Sequence, residues 1–525
     1  MTEQSPAPAD AAPPEPADAA APLLEARGIV KRFRAVVAND AVDFTLRAGE
    51  VHALVGENGA GKTTLMNVCY GLERPDAGVV YVRGRPVALR RPADALRLGI
   101  GMVHQHFMLV PVFTVLENVV LGVEPHGPAG ALDRRAARAR LRALGERHAL
   151  PVDPDARVED LAVGQQQRVE ILKALYRDAR TLILDEPTAV LTPREVDDLF
   201  AVLRGLAASG AGIVFITHKL SEALAVADRI TVLRRGRVVA TVRPGDTDAA
   251  GLAALMVGRA VALAPTKPPA DPGPPVLQVE SLSVRDARGL LAVDGVSFAV
   301  RAGEVLGIAG VQGNGQTELV EALAGLRPLV GGTIAWPGVA ASRPTPRAIR
   351  AGGTAYVPED RQRDGLVLSF SVADNLVLCA YDAAPFARWG QRDAAAIAAH
   401  ARALIAAFDV RAPSPATPVA RLSGGNQQKV ILARELSGRV RLVLANQPTR
   451  GLDVGSVEGV HQRLLALRAA GAAVLLVSTD LDELRALADR IAVLYRGRLV
   501  ATLPAATAAP EHLGLLMAGH VPSPT

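Results

Sequence analysis

This sequence predicts an α/β protein made of two tandem copies of one domain, and three features carry that prediction. The first is a glycine-rich turn set between an apolar run and the start of a helix. The second is the return of the whole pattern in the other half of the chain. The third is the alternation, in both halves, of short apolar β-branched runs with longer Ala-, Leu- and Arg-rich stretches. That order builds a parallel sheet with crossover helices. An inserted helical segment is expected at about 130–148 and again at about 391–408.

The glycine-rich turn reads Gly56-Glu57-Asn58-Gly59-Ala60-Gly61-Lys62-Thr63-Thr64. Val51 to Val55 before it reads as a buried strand, and Leu65-Met66-Asn67-Val68 after it as the start of a helix. Strand, glycine turn, Lys-Thr and helix is the context in which GxxxxGK[ST] cradles phosphate. Glycines let backbone N–H groups converge on phosphate oxygens, and the helix N-terminus adds partial positive charge. Lys62 is expected to set an ammonium on the β- and γ-phosphates, with the Thr63 hydroxyl on Mg²⁺.

The apolar runs must pack as aliphatic cores, because aromatics make up only 3% of the 525 residues. Formal net charge is +5. No block of Lys and Arg is long enough for a nucleic-acid arm, and a basic face near anionic lipid is equally compatible. Arg far outnumbers Lys, so the lysine kept at position 62 suggests a need for a compact point charge. Cys69 and Cys379 lie in apolar surroundings without metal-like spacing and are expected as buried thiols. No apolar run approaches the ~18–20 residues that span a bilayer. Residues 1–22, rich in Ala, Pro and acid, lack the signal-peptide pattern and are expected as a disordered tail.

The repeat sets the domains. Arg47-Ala48-Gly49-Glu50 returns as Arg301-Ala302-Gly303-Glu304 (301 − 47 = 254), and Pro187-Thr188 returns as Pro448-Thr449 (448 − 187 = 261). One domain is therefore expected at 23–262 and a second at 276–521, with a short tail at 522–525. The Pro-rich connector at 263–275 should be extended and semi-rigid.

The first half holds the remaining chemistry. Leu182-Ile183-Leu184-Asp185-Glu186 reads as a buried strand ending in two carboxylates, Asp185 for the Mg²⁺ shell and Glu186 for the attacking water. His218 follows the apolar run Ile213–Thr217 at another strand end, within reach of a γ-phosphate. Gln105 is a candidate contact to Mg²⁺ or water, and Phe33 a candidate platform for adenine.

These parts, with Leu161-Ala162-Val163-Gly164-Gln165 and Leu422-Ser423-Gly424-Gly425-Asn426-Gln427-Gln428, stand in an order that resembles the ATP-binding cassette (ABC) ATPases. The resemblance covers both halves. It implies two tandem P-loop NTPase domains, each a RecA-like core with an inserted helical subdomain and an N-terminal antiparallel β subdomain. It implies ATP and Mg²⁺ as cofactors. It also implies head-to-tail packing, each ATP lying between the phosphate loop of one cassette and the signature of the other.

Aligning the halves then separates two composite sites. Offset 254 sets Gly310, Gly315, Gln316 and Thr317 against Gly56, Gly61, Lys62 and Thr63, with Ala287 at Phe33 and Glu359 at Gln105. Offset 261 sets Asn446, Gln447 and Thr479 against Asp185, Glu186 and His218. The signatures complement these losses: half one has Ala162 where half two keeps Ser423, and half two alone has Gly451-Leu452-Asp453, against Val190-Leu191-Thr192. Site one is thus expected to combine Gly56–Thr64, Gln105, Asp185, Glu186 and His218 with Ser423, Gly424, Gly425, Asn426, Gln427 and Asp453. Site two, with Gln316, Glu359, Asn446, Gln447, Thr479 and Ala162, is expected not to hydrolyse.

The fused, asymmetric pair resembles the energy-coupling subunit of sugar and nucleoside importers. Met102–Leu109, Gly164–Leu175 and Gly313–Gln316 lean toward the nucleoside, basic membrane lipoprotein-linked branch, with a monosaccharide importer as the alternative. Ala162 and Gln165 depart from that branch's pattern. The resemblance implies two integral-membrane permeases, a substrate-binding lipoprotein or periplasmic protein, one fused chain per transporter, and a peripheral position on the cytoplasmic face of the membrane. It implies no nucleic acid. A soluble twin-cassette ATPase of ribosomes or DNA is disfavoured by the short linker, the degraded site and the lack of zinc-binding cysteine modules.

Overall fold

The computed structural model describes residues 21–33, 36–104, 107–126, 132–188, 191, 193–260, 265, 267–340 and 344–520. Gln105, Val190, Thr192 and the expected end of the second domain at 521 lie outside the described residues, as do 1–20 of the expected tail.

Each half is built on a six-stranded sheet. In the first, the strands run in the order Arg237–Val242, Arg229–Arg234, Val51–Gly56, Gly212–Thr217, Thr181–Asp185, Ile100–Val103. In the second the same order recurs as Arg498–Pro504, Arg490–Tyr495, Val305–Ala309, Ala473–Ser478, Leu442–Asn446, Thr354–Val357. All pairings are parallel except the hairpin at one edge. The central strands are buried along their whole length, which is why they read as unbroken apolar runs and not as alternations. An antiparallel sheet opens each half, four-stranded in the first and three-stranded in the second.

The expected helical insertions appear as Arg134–Arg147 and Ala394–Ala407, capped by the side chains of Asp133 and Asp393 on the N–H groups of Ala136 and Ala396. Pro275, the last residue of the expected connector, opens the strand Pro275–Arg285. The connector rests on the second half, where Arg468 Nη1 donates to the Pro268 carbonyl at 3.0 Å. One expectation fails: Cys69 is buried, but Cys379 is exposed, because it lies past the end of the short helix Val372–Leu376. Local apolar composition does not determine which side of a chain end faces the core.

The halves pack about a pseudo-twofold relationship. The helix Ala249–Val257 of the first half lies on Val454–Ala469 of the second, and Pro510–Met517 of the second lies on Pro193–Ala208 of the first. The 261-residue offset carries Ala249–Val257 onto Pro510–Met517 and Pro193–Ala208 onto Val454–Ala469, so one type of contact occurs twice. Arg259 Nη2 adds an ion pair to Glu458 Oε2 at 2.9 Å.

Candidate functional site

The phosphate loop leaves the strand Val51–Gly56 and enters the helix Lys62–Tyr70 through Gly61 at φ 103°. A side chain there would be strained, and its Cβ would lie 2.2 Å from the Ala38 carbonyl oxygen. Gly315 repeats both features, with φ 103° and 2.2 Å to the Ala292 oxygen, so both halves keep the backbone shape of the cradle. Lys62 is buried, its Nζ donating to the carbonyls of Gly56 at 2.7 Å and Glu57 at 3.1 Å. Burial holds the Lys62 ammonium below the ordinary lysine range, against the pull of Glu186, Asp185 and Glu57.

Asp185 ends the strand Thr181–Asp185, which is separated from Val51–Gly56 by Gly212–Thr217, and Glu186 follows it. Burial and the neighbouring Glu186 charge raise the Asp185 carboxyl, while a hydrogen bond from Thr63 and the Lys62 charge oppose the rise. For Glu186 burial also pushes upward, but it is outweighed by the hydrogen bond and charge of His218 and by Lys62 and Lys219, so the carboxylate is held below its usual range. His218 Nδ1 stands 2.9 Å from Glu186 Oε1. Glu186 has φ 48°, a left-handed backbone that non-glycine residues rarely adopt and that aims its carboxylate off the strand end. Phe33 ends the first strand, 42% exposed, with Lys31 Nζ 5.0 Å from its ring centroid.

The second half meets this loop from across the interface. Asn58 Nδ2 donates to the Gly451 carbonyl at 2.9 Å. A Cβ at Gly455 would lie 3.7 Å from Glu57 Oε1. Burial and the Asp453 carboxylate raise the Glu57 carboxyl. Asp453 caps the helix Val454–Ala469, accepting from Ser456 N–H at 2.8 Å. Ser423 precedes the helix Gly424–Leu436, and its Oγ accepts from Asn426 Nδ2 at 2.9 Å. Gln427 is turned inward, bonded to Gln362 and to the Val419 carbonyl. Ser423 is exposed and Gly424, Gly425 and Asn426 are half-buried, so these four are the accessible part of the signature. In the first half Ala162 precedes the helix Val163–Tyr176 at the same place without a hydroxyl.

One buried residue escaped the sequence reading. Glu222 Oε2 accepts from the hydroxyls of Thr188 at 2.6 Å and Thr217 at 3.1 Å, tying the loop after Glu186 to the strand end before His218. Its twin Glu483 takes Thr449 Oγ1 at 2.7 Å. The recurrence of a Thr and a Glu at offset 261 was the available signal.

Residues 39–189 and 293–450 match the protein family described as "ABC transporter". The chain is 48% identical over 497 residues to the nucleoside import ATP-binding protein NupA of Lactococcus lactis subsp. cremoris (strain MG1363), covering 95% of this chain and 98% of that protein. It is 47% identical over 497 residues to the guanosine import ATP-binding protein NupO of Bacillus subtilis (strain 168), covering 95% and 97%. It is 43% identical over 499 residues to the ribose import ATP-binding protein RbsA 1 of Rubrobacter xylanophilus (strain DSM 9941 / JCM 11954 / NBRC 16129 / PRD-1), covering 95% and 98%. No helix among the described residues is long and apolar enough to cross a membrane. With two phosphate-loop domains matched in tandem and relatives spanning nearly the whole chain, the protein belongs to the ABC transporter family, as a two-cassette ATPase of the import type.

Proposed function

We propose that this chain drives nucleoside import by hydrolysing ATP at one composite site, formed by the phosphate loop of the first half and the signature and Asp453 loop of the second. The observation that carries the single-site reading is the Glu186–His218 pair beside Lys62, whose twin in the other half is Gln447, Thr479 and Gln316. The nucleoside reading rests on NupA and NupO, and the likeness to RbsA 1 keeps a monosaccharide as the second reading. Two membrane-embedded permeases and a substrate-binding protein are the partners this role requires, with the chain peripheral to the membrane on its cytoplasmic side. The domains are taken as 23–262 and 276–521.

In the first half Thr63 and Asp185 are bonded to each other, an oxygen pair suited to Mg²⁺ and its water shell, with Gln105 as a third candidate. The metal, when bound, would neutralise charge on the β- and γ-phosphates. Lys62 would exchange its two carbonyl contacts for phosphate oxygens. Glu186, kept ionised by His218, would orient the attacking water and accept its proton. Ser423, Gly424 and Gly425 would close on the γ-phosphate, and Phe33 would lie against the base. In the test, steady-state ATP turnover is measured for Glu186→Gln and Gln447→Glu. The first should lose about 10²–10⁴ in rate, and the second should gain nothing. Substantial turnover in Glu186→Gln refutes the reading.

A further inference from the structure

The second phosphate loop differs from the first in more than missing charges: its own side chains occupy it. Gln316, at the place of Lys62, donates through Nε2 to the Val311 carbonyl at 3.0 Å, matching the Lys62 contact with Glu57 but with no ammonium. Thr317 donates its hydroxyl to Glu359 Oε2 at 2.7 Å, whereas Thr63 bonds Asp185. Glu359 Oε1 accepts from Arg450 Nη1 at 2.8 Å and from Gln312 Nε2 at 3.1 Å. Both carboxylate oxygens are therefore taken. At the place of Asp185 stands Asn446, buried, with its Nδ2 lacking a hydrogen-bond partner.

Magnesium requires oxygen lone pairs in a near-octahedral shell. Here the metal-shell carboxylate is an amide. The one carboxylate against the loop hydroxyl already holds a guanidinium. A triphosphate entering the loop would have to displace Glu359 from the Thr317 hydroxyl, with neither metal nor lysine to draw it in. These residues do not fit magnesium nucleotide.

We propose that the second pocket is sealed from within by the Glu359–Arg450 pair on Thr317, so that the chain takes up one magnesium nucleotide, at Lys62. Glu359 is the barrier, held by Thr317 and Gln312 as well as by Arg450. This rests on the single-site reading above and adds that the other pocket is shut to binding as well as to hydrolysis. Replacing Glu359 with Gln removes the charge at the position where the first half has Gln105. It also frees Arg450 to meet a phosphate.

The test is equilibrium dialysis of radiolabelled ATP with Mg²⁺ against the full chain, alongside turnover. Wild type should saturate at one nucleotide per chain, and Lys62→Ala should lose that binding. Glu359→Gln should bind a second equivalent, with affinity at the second pocket raised about tenfold or more, and should keep it in the Lys62→Ala background. Arg450→Ala should remain at one, since the carboxylate stays. Glu359→Ala serves as a second opening variant, and thermal unfolding checks that each variant is folded. Two equivalents on wild type, or one on both folded Glu359 variants, or opening by Arg450→Ala, overturns the sealed pocket while leaving the single-site reading intact. Turnover that survives Lys62→Ala overturns both.

Discussion

His218 Nδ1 lies 2.9 Å from Glu186 Oε1, and in the other half Thr479 Oγ1 lies 3.4 Å from Gln447 Oε1. The two contacts are geometrical twins. Glu186 and Gln447 share the left-handed backbone, at φ 48° and 51°. The second half thus keeps the strained geometry and has lost the charges. Backbone strain of this kind costs about 1–3 kcal/mol, and its retention at Gln447 means that the fold itself imposes it.

That contact makes a pH prediction. The hydrogen bond and charge of His218 help hold the Glu186 carboxyl below its usual range, against burial. In His218→Ala burial acts with less opposition and the carboxyl rises. The acid limb of the ATP turnover profile should move to higher pH, in addition to any fall in the plateau. An acid limb that stays in place would show that Glu186 is not the titrating group.

Glu222 should act as a positioning residue. Glu222→Ala leaves the buried hydroxyls of Thr188 and Thr217 without their acceptor, at about 1–3 kcal/mol of stability for each. It should also lower kcat by roughly tenfold or more, with little change in KM, as Glu186 and His218 drift apart. Glu222→Gln keeps an acceptor oxygen and should recover most of the rate. Equal losses in the two variants would argue against positioning.

His52 should make the first half acid-sensitive. Burial, with the Arg229 charge, pushes its imidazole down to about 3 from an ordinary value of 6.5. The folded state therefore holds it neutral while the unfolded chain protonates near 6.5. Its contribution to stability is complete above 6.5 and is lost progressively as pH falls from there toward 3. Thermal unfolding at pH 7.5 and 5.5 should show a smaller drop for His52→Leu, the residue at the twin position 306. An unchanged drop would assign the acid sensitivity elsewhere.

The thiols should separate cleanly. Cys69 is buried and its thiol is pushed up to about 12, whereas Cys379 is exposed. A thiol reagent at neutral pH should modify one cysteine in the folded chain and the second only on unfolding. Cys379→Ser should abolish the fast phase. A fast phase that persists would place Cys69 within reach of solvent.

What the sequence determined by itself is whatever a residue type imposes locally. The glycine at 61, the lysine at 62 and the paired carboxylates at 185 and 186 are each demanded by a backbone angle or a phosphate. The 254- and 261-residue offsets then laid the two halves on one another. The tertiary structure alone decided which distant groups touch. Asn58 meets Gly451 across 393 residues, and Arg450 meets Glu359 across 91. It also decided that Glu222 ties two strand ends and that Cys379 faces outward. Such pairings depend on how helices and sheets pack, and no local pattern of residues encodes that distance.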